Sequence, residues 1–128
     1  MAFLPYNNDM KKNYEVIFYR DVNKRSPFID SLNSLDDKLR AKTLMMVHLL
    51  EENGNDLREP FTKSLNDGIF ELRAISGSNI TRSLLFFYIN KKIIITNGFV
   101  KKSQKTPRNE IELAKKYKKD YFERNGNK

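Results

Sequence analysis

Apolar and polar positions along the chain change their period several times, and each change marks an element. Residues 14–20, YEVIFYR, are rich in β-branched and aromatic side chains and predict a strand. DVNKRSP reads as a turn. Pro27 suits the first position of a short helix over Pro27–Asn33, with Ser26 as its cap. Ser34 is then the expected cap of a longer helix, with Asp36 and Asp37 in its first turn, where the helix dipole favours them. Leu35, Leu39, Met46 and Leu50 recur at helical spacing, and Gly54 after Asn53 supplies a stop.

The second half reads as strands. GIFELRAI (68–75) is followed by the turn SGSN, then by TRSLLFFYI (81–89), the turn NKK, and IIITNGFV up to residue 100. Three such runs with short turns predict an antiparallel meander. Alternation gives way to continuous apolar residues in 84–89 and 93–95, so those strands should be covered on both faces. Thr106 is the expected cap of a last helix, opened by Pro107 and running to about Phe122, with Ile111, Ala114, Tyr117 and Tyr121 on its inner face. Residues 1–13 form a loose arm and 123–128 a frayed tail.

The expected fold is therefore α+β within one domain over residues 1–128. A small antiparallel sheet carries a helical hairpin on one face and the last helix near the other face or an edge. The first strand pairs with the last strand or with the one before it.

Charge sharpens the picture. Residues 1–90 balance 12 Lys and Arg against 12 Asp and Glu, while residues 91–128 hold 12 against 4, so the whole net charge of +8 lies in the final third. A basic end on a neutral body fits a polyanionic partner, most often nucleic acid, although a solvated lysine-rich face has the same composition. With no cysteine there is no disulfide framework and no thiolate metal site, and no apolar run approaches a membrane span. These features predict a cytoplasmic protein without a membrane partner.

The candidate chemistry is cationic. His48, the one histidine, falls mid-helix and reads as a surface or boundary residue. No metal-ligand or phosphate-loop pattern occurs, so neither a metal nor another cofactor is expected. Arg73 on one strand and Arg82 at the start of the next lie at one end of a single hairpin, and the following strand returns Lys101 and Lys102 towards Arg82. Lys63 falls at the far end unless residues 62–68 fold across the sheet. Lys105 and Arg108 lie between the last strand and the last helix, whose N-terminus adds a partial positive charge favourable to phosphate. Arginine offers phosphate a planar fork and lysine a point charge. Such a set suits RNA cleavage, in which a 2′-OH attacks the adjacent phosphorus and the transition state gains negative charge. Arg73 also has a structural reading as the partner of Glu71.

Four segments carry a resemblance: KSL at Lys63–Leu65, ELR at Glu71–Arg73, the arginine-led aromatic strand Arg82–Tyr88, and GFVKKSQKTPRNEIELA at Gly98–Ala114. Together they resemble the HigB branch of the RelE/ParE toxin superfamily, the phage-derived host-killing-like proteins. The likeness spans about Tyr14 to Tyr121, by element order alone in its first half. It implies a RelE-like toxin of a type II toxin–antitoxin system that enters the ribosomal A site and cuts mRNA as a metal-independent endoribonuclease. It further implies a cognate HigA-like helix-turn-helix antitoxin, through which alone operator DNA would be engaged.

By position, Arg82 resembles the arginine that grips the scissile phosphate. Lys101 and Lys102 fall where relatives place catalytic or phosphate-contacting groups, and Arg73 lies close to the residues lining the same groove. Lys63, Lys105 and Arg108 are assigned to RNA binding. Better-known RelE members carry lysines on the strand where Ile69 and Glu71 stand here, so Glu71 is either the general base or the partner of Arg73. Some relatives use a histidine on the last strand; here either Lys102 acts in its place or proton transfer is not rate-limiting. Two other functions fit the same sequence. A ParE-like gyrase poison needs no phosphate-gripping cluster, and a non-catalytic nucleic-acid module would lose binding smoothly as charges are removed.

Overall fold

Ser26 opens the first helix as expected: its extended backbone turns the hydroxyl to accept from the Ile29 N–H at 3.2 Å. The computed structural model describes residues 13–100 and 105–126. In chain order these form β1 (Glu15–Phe18), α1 (Pro27–Asn33), α2 (Asp37–Asn53), a single 3₁₀ turn, β2 (Thr62–Asn66), β3 (Ile69–Ser76), β4 (Asn79–Tyr88), β5 (Lys92–Val100) and α3 (Arg108–Asn125). Of the expected arm, residues 1–12 lie outside the described residues. Asn13 is tied down, its N–H donating to the Glu51 carbonyl and its amide to that of Glu52.

The cap of α2 is Asp36 rather than Ser34. Ser34 keeps helical dihedrals and donates its hydroxyl back to the Ser31 carbonyl at 2.7 Å, so it finishes α1. Asp36 is extended, and its carboxylate accepts from the Leu39 N–H at 2.8 Å. Arg40 then joins the two helices by donating to the carbonyls of Leu32 and Leu35.

The sheet has five strands in the order β1-β5-β4-β3-β2. It is mixed, not antiparallel throughout, because β1 pairs with β5 in parallel, from Glu15 opposite Lys92 to Phe18 opposite Ile95. The meander from β2 to β5 alternates direction and leaves an edge of β5 open. β1 fills that edge, and α1 and α2 then cross one face before β2 begins at the opposite edge. A strand over 62–66 was not foreseen: TKSLN has neither an apolar run nor clean alternation, and its strand conformation comes from pairing with β3.

Two cores flank the sheet. On one face Phe28, Leu32, Leu39 and Leu50 of α1 and α2 pack on Leu72, Leu85, Ile93 and Ile95. On the other, Ala114, Tyr117, Tyr121 and Phe122 of α3 cover Ile69, Leu84, Phe86 and Ile94. Residues 84–86 of β4 and 93–95 of β5 are thus buried from both sides, as their pattern predicts, while the end of the expected run departs from it: Phe87 and Tyr88 are half-buried and Ile89 is exposed. Gly98 lets α1 approach β5: a Cβ there would stand 3.2 Å from Ser31 Oγ and 3.3 Å from the Phe28 ring. The last helix continues past Phe122 to Asn125, because Tyr88 donates its hydroxyl to the carbonyls of Asn125 and Gly126. No helix among the described residues is long and apolar enough to cross a membrane.

Candidate nucleic-acid interface

In β3 the two-residue strand period puts Glu71 and Arg73 on the same face, the one covered by α3. Antiparallel pairing sets Arg82 of β4 directly opposite Arg73, and Lys63 of β2 directly opposite Glu71. Lys63 therefore stands beside the cluster. It would lie at the far end only if residues 62–68 did not fold back along β3, and they do. The β3–β4 hairpin closes through Gly77 and Ser78, with Ser76 opposite Asn79, which brings both arginines close to one end.

Glu71 is almost wholly buried, at 1% exposure, and Arg82 is buried at 3%. Arg73 donates from Nε to Glu71 Oε2 at 2.6 Å. Thr106 donates its hydroxyl to Glu71 Oε1 and accepts from Arg82 Nη1, the latter at 3.2 Å. One carboxylate is thereby held between two arginines, directly by one and through a hydroxyl by the other. A buried carboxylate needs such partners, since removing an ion from water costs several kcal/mol unless charge and hydrogen bonds offset it. Among the described residues the cluster sets two guanidinium groups around one carboxylate.

Thr106 does not cap α3. The capping position belongs to Pro107, extended at φ −61°, ψ 141°, with no side-chain bond into the first turn. The threonine hydroxyl is committed to Glu71 and Arg82 instead. The helix start is held from the sheet by Asn97, buried on β5, which donates to the Glu110 carboxylate at 3.0 Å. Thr96 donates to the side-chain oxygen of Asn97 at 2.6 Å and so orients it. The expectations from sequence do not include this anchor, which the polar pair inside the apolar run IIITNGFV could have marked, and the role of Thr106 was masked by its fitness as a cap.

Outside the cluster, Lys105, Arg108, Ile111, Lys115 and Asn66 line a cleft of about 570 Å³ at the N-terminus of α3. Lys105 and Arg108 are exposed there. Lys101 and Lys102 lie outside the described residues. His48 sits on the exposed side of α2, across the sheet from the cluster, with Nδ1 3.3 Å from Glu51 Oε1. Among the described residues no group of three or more His, Asp or Glu side chains is close enough to share a metal ion.

The model of a family described as Phage derived protein Gp49-like (DUF891) matches residues 30–119, which run from the second half of α1 through most of α3 and include every described member of the cluster. The chain belongs to that family. The Gp49-like family is toxin-like and related to the RelE and HigB proteins, and the α+β architecture of this chain is consistent with a small RelE-like fold. No curated protein gives a significant match.

Proposed function

We propose that this Gp49-like chain is the toxin of a type II toxin–antitoxin pair and cleaves mRNA on the ribosome, with Glu71 as general base and Arg73 and Arg82 as the cations facing the scissile phosphate. The observation that supports this most is the buried Glu71 carboxylate bracketed by Arg73 and, through Thr106, by Arg82. Glu71 takes the proton of a ribose 2′-OH. The 2′ oxygen forms a bond to the adjacent phosphorus while the bond to the 5′ oxygen breaks and that oxygen takes a proton from water, giving a 2′,3′-cyclic phosphate and a 5′-OH end. Negative charge grows on the non-bridging oxygens, and preorganised guanidinium groups stabilise it best where water is excluded. Lys63, Lys105 and Arg108 hold the flanking backbone. Lys101 and Lys102, which follow β5 in sequence, are assigned by resemblance a catalytic or phosphate-contacting role. A helix-turn-helix antitoxin neutralises the toxin and carries it to operator DNA.

The test is expression without a partner, followed by primer extension on cellular mRNA. Growth should stop, pulse-labelled peptide synthesis should fall, and new 5′ ends should appear within reading frames. Glu71→Gln, which keeps the shape of the side chain, should lower cleavage on programmed ribosomes by about 10²–10⁴. Continued peptide synthesis with topoisomerase-linked DNA breaks would instead identify a gyrase poison.

A further inference from the structure

We infer that Thr106 is a positioning residue that locks the carboxylate of Glu71 in orientation and couples it to Arg82. The inference rests on the assignment of Glu71 as base. A threonine hydroxyl has one proton. Arg82 Nη1 donates to Thr106 Oγ1 at 3.2 Å, so that proton is directed to Glu71 Oε1. Arg73 Nε holds the other oxygen, Oε2, at 2.6 Å. Each carboxylate oxygen is then fixed by one donor. The carboxylate plane cannot turn without breaking one of the two bonds.

The same hydroxyl links the base to Arg82, so the group that takes the proton and a group that faces the phosphate share one hinge point. Thr106 can serve because its own backbone is constrained. Pro107 follows it with φ near −61°, and Asn97 holds the first turn of α3 through Glu110. A β-branched side chain adds a restricted χ1, which serine lacks. Capping the helix would have sent this hydroxyl to a backbone N–H; here it goes to two side chains of the sheet.

The test compares Thr106→Val, which preserves shape and removes the hydroxyl, with Thr106→Ser, which restores it. Cleavage is followed on programmed ribosomes over a range of toxin concentrations. Thr106→Val should lower the maximal rate by about 10- to 100-fold, the effect of one hydrogen bond to a charged group. The half-saturating concentration should change by less than about twofold, since no RNA contact is lost. Thr106→Ser should recover most of the rate. Placed in a Glu71→Gln protein, Thr106→Val should cost nothing further, because the group it positions is gone. Circular dichroism checks the fold, and should Thr106→Val fail to fold, Thr106→Ala carries the same expectation. A wild-type rate for Thr106→Val beside an inactive Glu71→Gln overturns the inference and leaves Glu71 standing as base. An undiminished additional loss in the double variant also overturns it. A fully active Glu71→Gln protein removes the base assignment itself, and the role of Thr106 with it.

Discussion

Arg73 and Arg82 stand directly opposite each other in the β3–β4 pair, two like charges in one cross-strand position. Such pairing is unfavourable by itself. It is tolerated here because the carboxylate of Glu71, one pleat along β3, is bound to Arg73 at 2.6 Å and to Arg82 through Thr106.

Arg82→Lys should reduce cleavage by about 10²–10³, as loss of a preorganised donor does, with little change in thermal stability. Lysine keeps the charge and most of the buried stem but cannot reproduce the planar fork. Arg82→Ala is a poorer probe, since at 3% exposure the side chain is also packing. It should both inactivate and destabilise the protein. Primer extension and thermal melts on the two variants separate the effects; a lysine variant cutting at the wild-type rate would rule out the fork.

Lys63, Lys105 and Arg108 are exposed beside the cluster and its cleft. Each should act as an independent phosphate contact. Changing any one to glutamine should shift the slope of log K against log salt for a single-stranded RNA by about 0.7, with maximal cleavage little altered. Filter binding at four salt concentrations measures it. Equal slopes in wild type and the triple variant would mean that RNA follows another path.

Tyr19 at the end of β1 donates to Asp120 of α3 at 2.6 Å. Burial, reinforced by that bond, pushes its hydroxyl from 10.0 up to about 12. Since the folded state holds the proton more tightly than the unfolded chain, this contribution is complete below pH 10 and is lost as pH rises towards 12. Wild type should therefore lose stability over that window by up to about 2 kcal/mol more than Tyr19→Phe. At pH 8 the phenylalanine variant should be the weaker by about 1 kcal/mol, the usual net value of one hydrogen bond. Urea titrations at pH 8 and pH 11.5 test it, and a constant gap between the two proteins would show that Tyr19 does not titrate differently on folding.

Helices, caps and buried strands were legible where a local cause fixed them. Ser26 and Pro27 start α1, and Gly54 closes α2 by donating its N–H to the Leu50 carbonyl. The continuous apolar runs at 84–89 and 93–95 were expected to be covered on both faces; 84–86 and 93–95 are buried, whereas Phe87 and Tyr88 are half-buried and Ile89 is exposed. Arg73 and Arg82 shared one end of a hairpin by turn length alone, and the charge of the last third directed attention to the junction before α3.

What tertiary structure decided are the matters no local signal encodes. Ser34, Asp36 and Thr106 are all competent caps, and only the surrounding chain determined that Asp36 caps, Ser34 ends a helix and Thr106 turns to Glu71. The parallel direction of β1 is set by its pairing with β5, Glu15 opposite Lys92 far along the chain, which no local signal in YEVIFYR encodes. The strand at 62–66 exists through its pairing with β3, and that pairing brings Lys63 to Glu71. The sequence alone left Glu71 between two readings, base and partner of Arg73. Folding buries the carboxylate and bonds it to Arg73 while a second arginine is held within one hydroxyl of it. Periodicity can say which face a side chain takes; the company it keeps there is set by three strands and a helix start that are far apart in the chain.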